Sequence, residues 1–318
     1  MLLPIIDFLI SAITVFAVWF ALQQGMSGPA WALAIAAWLH GWLAVEKTVS
    51  AQNYSTNTGI KTGASWMMSL GIPLFFGFWL LFFWQILTVG LEIPSVLLPP
   101  PSMVAVRFVT SMSILMADFQ QTFLKSVLVG YAIGCSSGIL VAVLVDRNDF
   151  LRRGLLPIGN FIAALPIIGV APIMVMWFGF DWQSKAAVVV IMTFFPMLVN
   201  TLSGLNVASS MERDLLRTYA ASYWQNLVTL RFPAAMPFIF NALKINSTLA
   251  IIGAIVAEFF GTPIVGIGFR ISTEVGRMNL DMVWAEIVVA ALAGSASYGA
   301  LSLIERRVTF WHPSYRTK

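Results

Sequence analysis

Few side chains in this sequence could do chemistry, and their surroundings narrow what that chemistry is. Four charged residues, Asp7, Lys244, Glu258 and Glu286, interrupt long apolar runs. A charge at membrane depth is costly and usually faces a partner or a water-filled cavity. Polar residues near them include Asn200, Thr201, Ser203, Asn241, Asn246, Ser247 and Thr248; in hydrocarbon such groups usually hydrogen-bond between helices. Asn200, Asn241, Lys244, Asn246 and Glu258 form the candidate set for a path through the membrane. On one helix Lys244 and Glu258 share a face but lie about 21 Å apart, too far to pair. Nucleophilic and metal chemistry find no support: there is no HExxH, no CxxC and no Cys/His cluster, and His40 and His312 are far apart. Cys135 is alone in an apolar run, which reads as a small packing residue and excludes an intrachain disulfide. No catalytic residue, metal or cofactor is expected. A G-x-x-x-x-G-K-[ST] phosphate loop is also missing; Gly59-Ile60-Lys61-Thr62 lacks its first glycine and the glycine before lysine. Any energy for work must come from a partner or an ion gradient.

The most informative polar stretch is 206–233, from Met211-Glu212-Arg213-Asp214 through Arg217-Thr218-Tyr219-Ala220-Ala221-Ser222 to Arg231-Phe232-Pro233. Its first part holds good helix formers. Its second places Trp224, Leu227, Val228 and Phe232 at helical spacing. The small residues Ala220-Ala221-Ser222 break it in two, so a helix–turn–helix at the membrane surface is expected. An amphipathic helix resting on lipid is the plainer reading of the same pattern.

The elements that position these residues follow from composition. Of 318 residues, 59% are hydrophobic and 10% charged, against about 25% charged in a soluble domain. This excludes an ordinary soluble enzyme, a disordered chain and a nucleic-acid binder; the net charge of +4 reflects no basic patch. Apolar runs lie at 2–23 and 30–45, then at 66–89, 122–145, 154–178, 184–205, 233–260 and 282–304. The first lacks a basic leading region and a small-residue cleavage site, so it is not read as a signal peptide. The later six are each long enough to cross about 30 Å of hydrocarbon as helix. Their unbroken hydrophobicity excludes barrel strands. The fold class is therefore all-α and polytopic, with about eight transmembrane helices. The polar stretch 46–64 divides a hairpin and linker, 1–64, from a main body, 65–318. Of the 18 Lys and Arg residues, 12 fall on one side and 4 on the other when the N-terminus is inside. That places both termini and the 206–233 loop in the cytoplasm.

The loop resembles the EAA loop of permease subunits of bacterial ABC importers, whose pattern is E-A-A-x-x-x-G, nine residues, then I-x-L-P. Asp214 stands at the acidic position, Ala220 at the glycine, Leu230 at the isoleucine, Phe232 at the leucine and Pro233 at the proline. Leu215, Leu216 and Ala220 depart from the pattern, and alanine does not easily take a positive φ. The resemblance extends over about 68–313 and includes Ile93-Pro94-Ser95 through Pro99-Pro100-Pro101. Leu165-Pro166 through Ala171-Pro172 with Trp177-Phe178-Gly179, and Ala257-Glu258-Phe259-Phe260-Gly261 with Gly266-Ile267-Gly268, also carry it. The chain is similar to the branch that includes permeases for sulfonates, taurine, nitrate, thiamin-precursor pyrimidines and riboflavin. The resemblance implies a six-helix permease core plus an added N-terminal hairpin, in the bacterial inner membrane. It implies pairing with a second permease subunit, the same or homologous, and a periplasmic substrate-binding protein that delivers the solute. It also implies a separate ATP-binding cassette ATPase that receives the loop, with Asp214, Arg217, Tyr219, Ala220, Ala221, Ser222 and Pro233 as coupling residues.

The overall sequence looks closer to permeases for pyrimidine or thiamin-precursor heterocycles, with a sulfonate, taurine or nitrate as the alternative solute. A gradient-driven secondary transporter would want charges in several helices and inverted repeats, and would leave the amphipathic loop unexplained. A membrane enzyme would want a nucleophile–base or metal constellation.

Overall fold

The computed structural model describes residues 65–311, apart from 164 and 262, together with 36, 41–43 and 46. The run 2–23 with Asp7, most of the run 30–45, and both histidines lie outside the described residues. The described chain is helical: α1 Ser65–Gly90, α2 Pro101–Thr110, α3 Met112–Arg147, α4 Asp149–Ala163, α5 Ile167–Phe178, α6 Trp182–Leu205, α7 Ser210–Thr218, α8 Tyr223–Glu258, α9 Ile267–Gly276 and α10 Leu280–Val308. Among these, α3, α6, α8 and α10 are long and apolar enough to cross a membrane. Shorter apolar helices are Phe76–Gly90, within α1, and α5.

The chain divides into two compact units, Met1–Arg107 and Phe108–Lys318; the boundary expected from sequence, at 64, falls outside the described residues. In the first unit the Trp79, Phe82 and Phe83 rings pack edge-to-face or tilted against one another along α1. The Gln85 side chain accepts from the Ser102 backbone N–H (3.0 Å) and donates to its hydroxyl (3.1 Å), satisfying an orphan donor at the start of α2.

In the second unit α6 is the central rod. Val188, Val189, Met197, Leu198 and Leu205 are fully or nearly fully buried along it, with α3, α4, α5 and α8 packed around it. Asp181 caps its start by accepting from the Trp182 N–H (2.8 Å), and also accepts from Gln121 (2.9 Å). These two donors, the Gln121 amide first, hold its carboxyl below the usual carboxylate range.

Gly130, Gly134 and Gly138 form the seam between α3 and α6. A Cβ on Gly134 would meet the Val190 backbone at 3.1 Å and drive into the Thr193 hydroxyl. This is the small-residue face that lets two helices approach closely in lipid.

Two expectations change. The run 154–178 is not one span: α4 ends at Ala163 and α5 begins at Ile167. Pro166 has no N–H to continue the ladder and takes extended backbone (ψ 119°), and proline also pushes the residue before it out of the helical region. The second half of the 206–233 loop is not a separate surface helix either. It runs straight into the following span as α8, through a π turn at Leu227–Arg231. Pro233 falls just after that turn, at the second residue of the α-helical stretch that begins at Phe232.

Gly134→Val should lower the melting temperature of the purified chain, corresponding to a loss of about 1–3 kcal/mol. Gly299→Ala, where an added Cβ meets nothing within 4 Å, should be neutral or slightly stabilising by comparison.

Candidate functional site

The surface arm is built from α7 and the turn into α8. Ser209 starts α7 with a reciprocal capping box: its hydroxyl accepts from the Glu212 N–H (3.3 Å), and the Glu212 carboxylate accepts from the Ser209 N–H (2.9 Å). That backbone donor, with the Ser209 hydroxyl second, holds the Glu212 carboxyl below its ordinary range. The box is therefore complete at neutral pH and lost as pH falls through the depressed value. Ser222 opens α8 with the same box, completed by Gln225.

Between the two boxes the chain turns in a Schellman motif. The Ala221 N–H donates to Leu216 O (3.1 Å) and the Ala220 N–H to Arg217 O (2.9 Å). Ala220 sits at the left-handed position, φ 52°, where glycine is favoured. The turn therefore does need left-handed backbone, and alanine supplies it at a cost of about 1 kcal/mol.

α7 buries none of its residues. Tyr219 is 77% exposed, and Met211 and Leu215 are exposed with it. Asp214 and Arg217 pair with each other at 3.0 Å, both well exposed, so the pair adds little stability. The structure thus brings Asp214, Arg217, Tyr219, Ala220, Ala221 and Ser222 into one projecting element and sets Pro233 apart, in the helix that carries it.

What fixes the arm is a cluster the sequence reading did not single out. Arg231 reaches Asp146, at the end of α3, with Nη1 and Nη2 at 2.7 and 2.6 Å, and donates through Nε to Leu205 O at 2.9 Å. Tyr223 Oη donates to the same carboxylate at 2.8 Å. Arg147 lies over the rings of Tyr223 and Trp224, 5.8 and 5.7 Å from their centroids. Three helix ends meet on one buried carboxylate. The available signal was an Asp closing one apolar run and an Arg just before the proline that opens another.

The path candidates are not brought together. Glu258 is buried at the far end of α8, where its carboxylate accepts from Thr122 Oγ1 and the Gly268 N–H, both at 2.7 Å. Thr122 in turn accepts from the Ile267 N–H (2.8 Å), and Asp118 accepts from the Gly266 N–H (2.6 Å) and from Arg270 Nε (2.8 Å). Three successive backbone donors at the start of α9 are therefore held by side chains of α3 and α8. Gly266 is required there: its φ is 141°, and a Cβ would meet the Glu258 carboxylate at 2.8 Å. Lys185, also buried, donates to Phe180 O (2.6 Å) and to Gly261 O, and Glu286 is buried beside Asp118 and Arg270.

Lys244 pairs with Glu305 of α10 at 2.7 Å and lies 5.8 Å from the Tyr298 ring centroid. Asn246 donates to Thr193 O (2.8 Å) and to Cys135 Sγ (3.4 Å), joining α8 to α6 and α3. Asn200 donates to Pro196 O within α6 (2.8 Å). Asn241 is exposed and heads an exposed stripe on α8 with Ile245, Thr248 and Ile252.

Comparison with known proteins agrees with this architecture. The family described as binding-protein-dependent transport system inner membrane component matches residues 130–310. The chain is 30% identical over 239 residues to the formylaminopyrimidine transport permease protein ThiX of Halalkalibacterium halodurans, covering 75% of this chain and 95% of that one. It is 29% identical over 250 residues to the riboflavin transport system permease protein RibX of Chloroflexus aurantiacus, covering 77% and 91%. It is 26% identical over 253 residues to the putative aliphatic sulfonates transport permease protein SsuC of Bacillus subtilis, covering 79% and 89%.

Two outcomes follow from this geometry. Asp146→Ala leaves the largely buried Arg231 guanidinium without its carboxylate and should destabilise the chain by about 3 kcal/mol; Asp146→Ala with Arg231→Met should recover part of the lost melting temperature. Ala220→Gly should slow amide hydrogen exchange across 210–221 and Ala220→Val should speed it, each by the equivalent of about 1 kcal/mol.

Proposed function

The chain belongs to the binding-protein-dependent transport inner-membrane component family, and from that premise we propose that its exposed α7 arm is the coupling element of an ATP-driven importer. Membership makes the chain a multi-pass inner-membrane permease, a non-catalytic subunit, and the family implies ATPase and binding-protein partners. The observation that carries the coupling role is the arm itself. It is a capped helix with no buried residue, ending in an exposed aromatic and two small residues, on a base held by three helices. Such a surface suits a cleft on a partner: Tyr219 anchors, and Ala220 and Ala221 admit close approach. Asp214, Arg217 and Ser222 set its shape, and Pro233 marks where it becomes a span. Strokes of the ATPase would reach the membrane through the Asp146 cluster. This reading puts the arm and both termini in the cytoplasm, consistent with the excess of Lys and Arg there.

A second permease subunit, the same or a homologous chain, completes the path. Asn241 and its exposed stripe on α8 face that path. Lys244, Asn246 and Glu258 hold the helices that form it, and Asn200 belongs to the same candidate path on α6. The transported solute is a pyrimidine or thiamin-precursor-like heterocycle, supported by the similarity to ThiX. A sulfonate, taurine or nitrate is the alternative, the sulfonate supported by the similarity to SsuC.

The test is uptake into proteoliposomes holding this chain, its ATPase and its binding protein. Uptake of a labelled formylaminopyrimidine that needs ATP, and that excess taurine leaves unchanged, supports both levels of the reading. Uptake of taurine instead replaces the solute; uptake driven by an ion gradient without ATP overturns the importer. Asn241→Leu should lower uptake while the ATPase remains bound.

A further inference from the structure

α4 begins two residues after α3 ends, so its first turn lies where the span Met112–Arg147 leaves the membrane. Its packed side is apolar. Leu151 and Leu155 lie against Ala142, Val145, Phe195, Leu198 and Leu202, and Gly159 sits under the Phe195 ring. α4 therefore turns back along α6 into the hydrocarbon, with its other side uncovered among the described residues. On that side Asp149, Arg152, Arg153 and Pro157 line an open groove of about 430 Å³. Both arginines are exposed, and neither makes an ion pair or side-chain hydrogen bond among the described residues. Phe150 (82% exposed) and Phe161 are exposed on the adjoining face of the helix. Phe161 is eight residues beyond Arg153, about 12 Å further along the helix and so deeper in the membrane.

We propose that this groove seats one anionic phospholipid, its phosphodiester between Arg152 and Arg153 and its acyl chains along Phe150 and Phe161. The chemistry fits on three counts. Guanidinium groups bind phosphate oxygens in a fork and are weakly hydrated, which suits the head-group layer. Two arginines against Asp149 leave the groove with a single net positive charge, matching the single negative charge of a phosphodiester. A zwitterionic head group would bring a cation against the same arginines. The exposed apolar residues deeper on α4 give the acyl chains a surface that a free phosphate would not use. The seat lies at the end of the molecule that carries the arm, because Arg147, just before α4, is stacked on Tyr223 and Trp224. It does not depend on the transport reading.

The experiment is native mass spectrometry of the full chain, purified from membranes with its bound subunits and exchanged into phosphatidylglycerol, phosphatidylcholine or sn-glycerol 3-phosphate. Wild type should retain phosphatidylglycerol well above phosphatidylcholine, and R152Q/R153Q should weaken that retention about tenfold. R152K/R153K should keep most of it. R306Q/R307Q, which removes equal charge from the end of α10, should leave it unchanged. Equal loss from both glutamine pairs would show a diffuse charge effect and overturn the seat. Equal retention of the two lipids would also overturn it, as would displacement of phosphatidylglycerol by sn-glycerol 3-phosphate at equal concentration.

Discussion

The bond between Asp146 and Arg231 is the constraint on which the second unit of this molecule turns. Two largely buried charges are expensive to take out of water, and the cost is offset only when they are well hydrogen-bonded. Here the carboxylate receives Arg231 Nη1 and Nη2 and the Tyr223 hydroxyl, and the guanidinium Nε–H goes to the last carbonyl of α6. The pair ties the ends of α3, α6 and α8 together at one point. It also fixes the direction in which α7 projects, because the chain between α6 and α8 has no other buried anchor in α7 itself.

α8 links the two ends of this unit. It starts at the arm with Tyr223 and ends at Glu258, whose carboxylate holds the start of α9. Thirty-six residues of continuous helix span about 54 Å, so whatever moves the arm moves a rod whose far end is bonded to the loop on the opposite side. The polar groups along it are spent on neighbouring helices: Asn246 on α6 and α3, Lys244 on α10. In lipid, where apolar contact alone does not favour one neighbour over another, such bonds set which helices stay together. The side of α8 left open is the one that begins with Asn241.

The all-helical, membrane-spanning nature of the chain was legible from composition and from runs of apolar residues, because hydrocarbon leaves a helix few alternatives. The arm was legible too, since Ala220-Ala221-Ser222 breaks an otherwise helical pattern where the family pattern carries a turn. The left-handed Ala220 was legible only as a conflict. Its residue type argues against positive φ, and the Schellman bonds on either side override that preference. Run length hid two features. The break at Pro166 lies inside a stretch as apolar as any true span, and the π turn before Pro233 lets a helix continue where proline would be expected to start one. The Asp146 and Glu258 clusters were not legible, because each joins residues 77 or more positions apart. One sequence without covariation can show an Asp closing one apolar run and an Arg opening another, but it does not pair them. Intramembrane charge flagged Glu258 as important but could not say that its partners are a threonine and a backbone N–H.

The central claim is that α7 and its turn hold a separate ATPase. The most direct measurement is copurification of the tagged chain from membranes, wild type beside a variant with Tyr219, Ala220 and Ala221 changed to Asp, at matched melting temperature. A stoichiometric ATPase subunit with wild type, lost from the variant, is the result that follows if the arm couples. Equal recovery of the ATPase with both chains, or none with either in mild detergent, would contradict it.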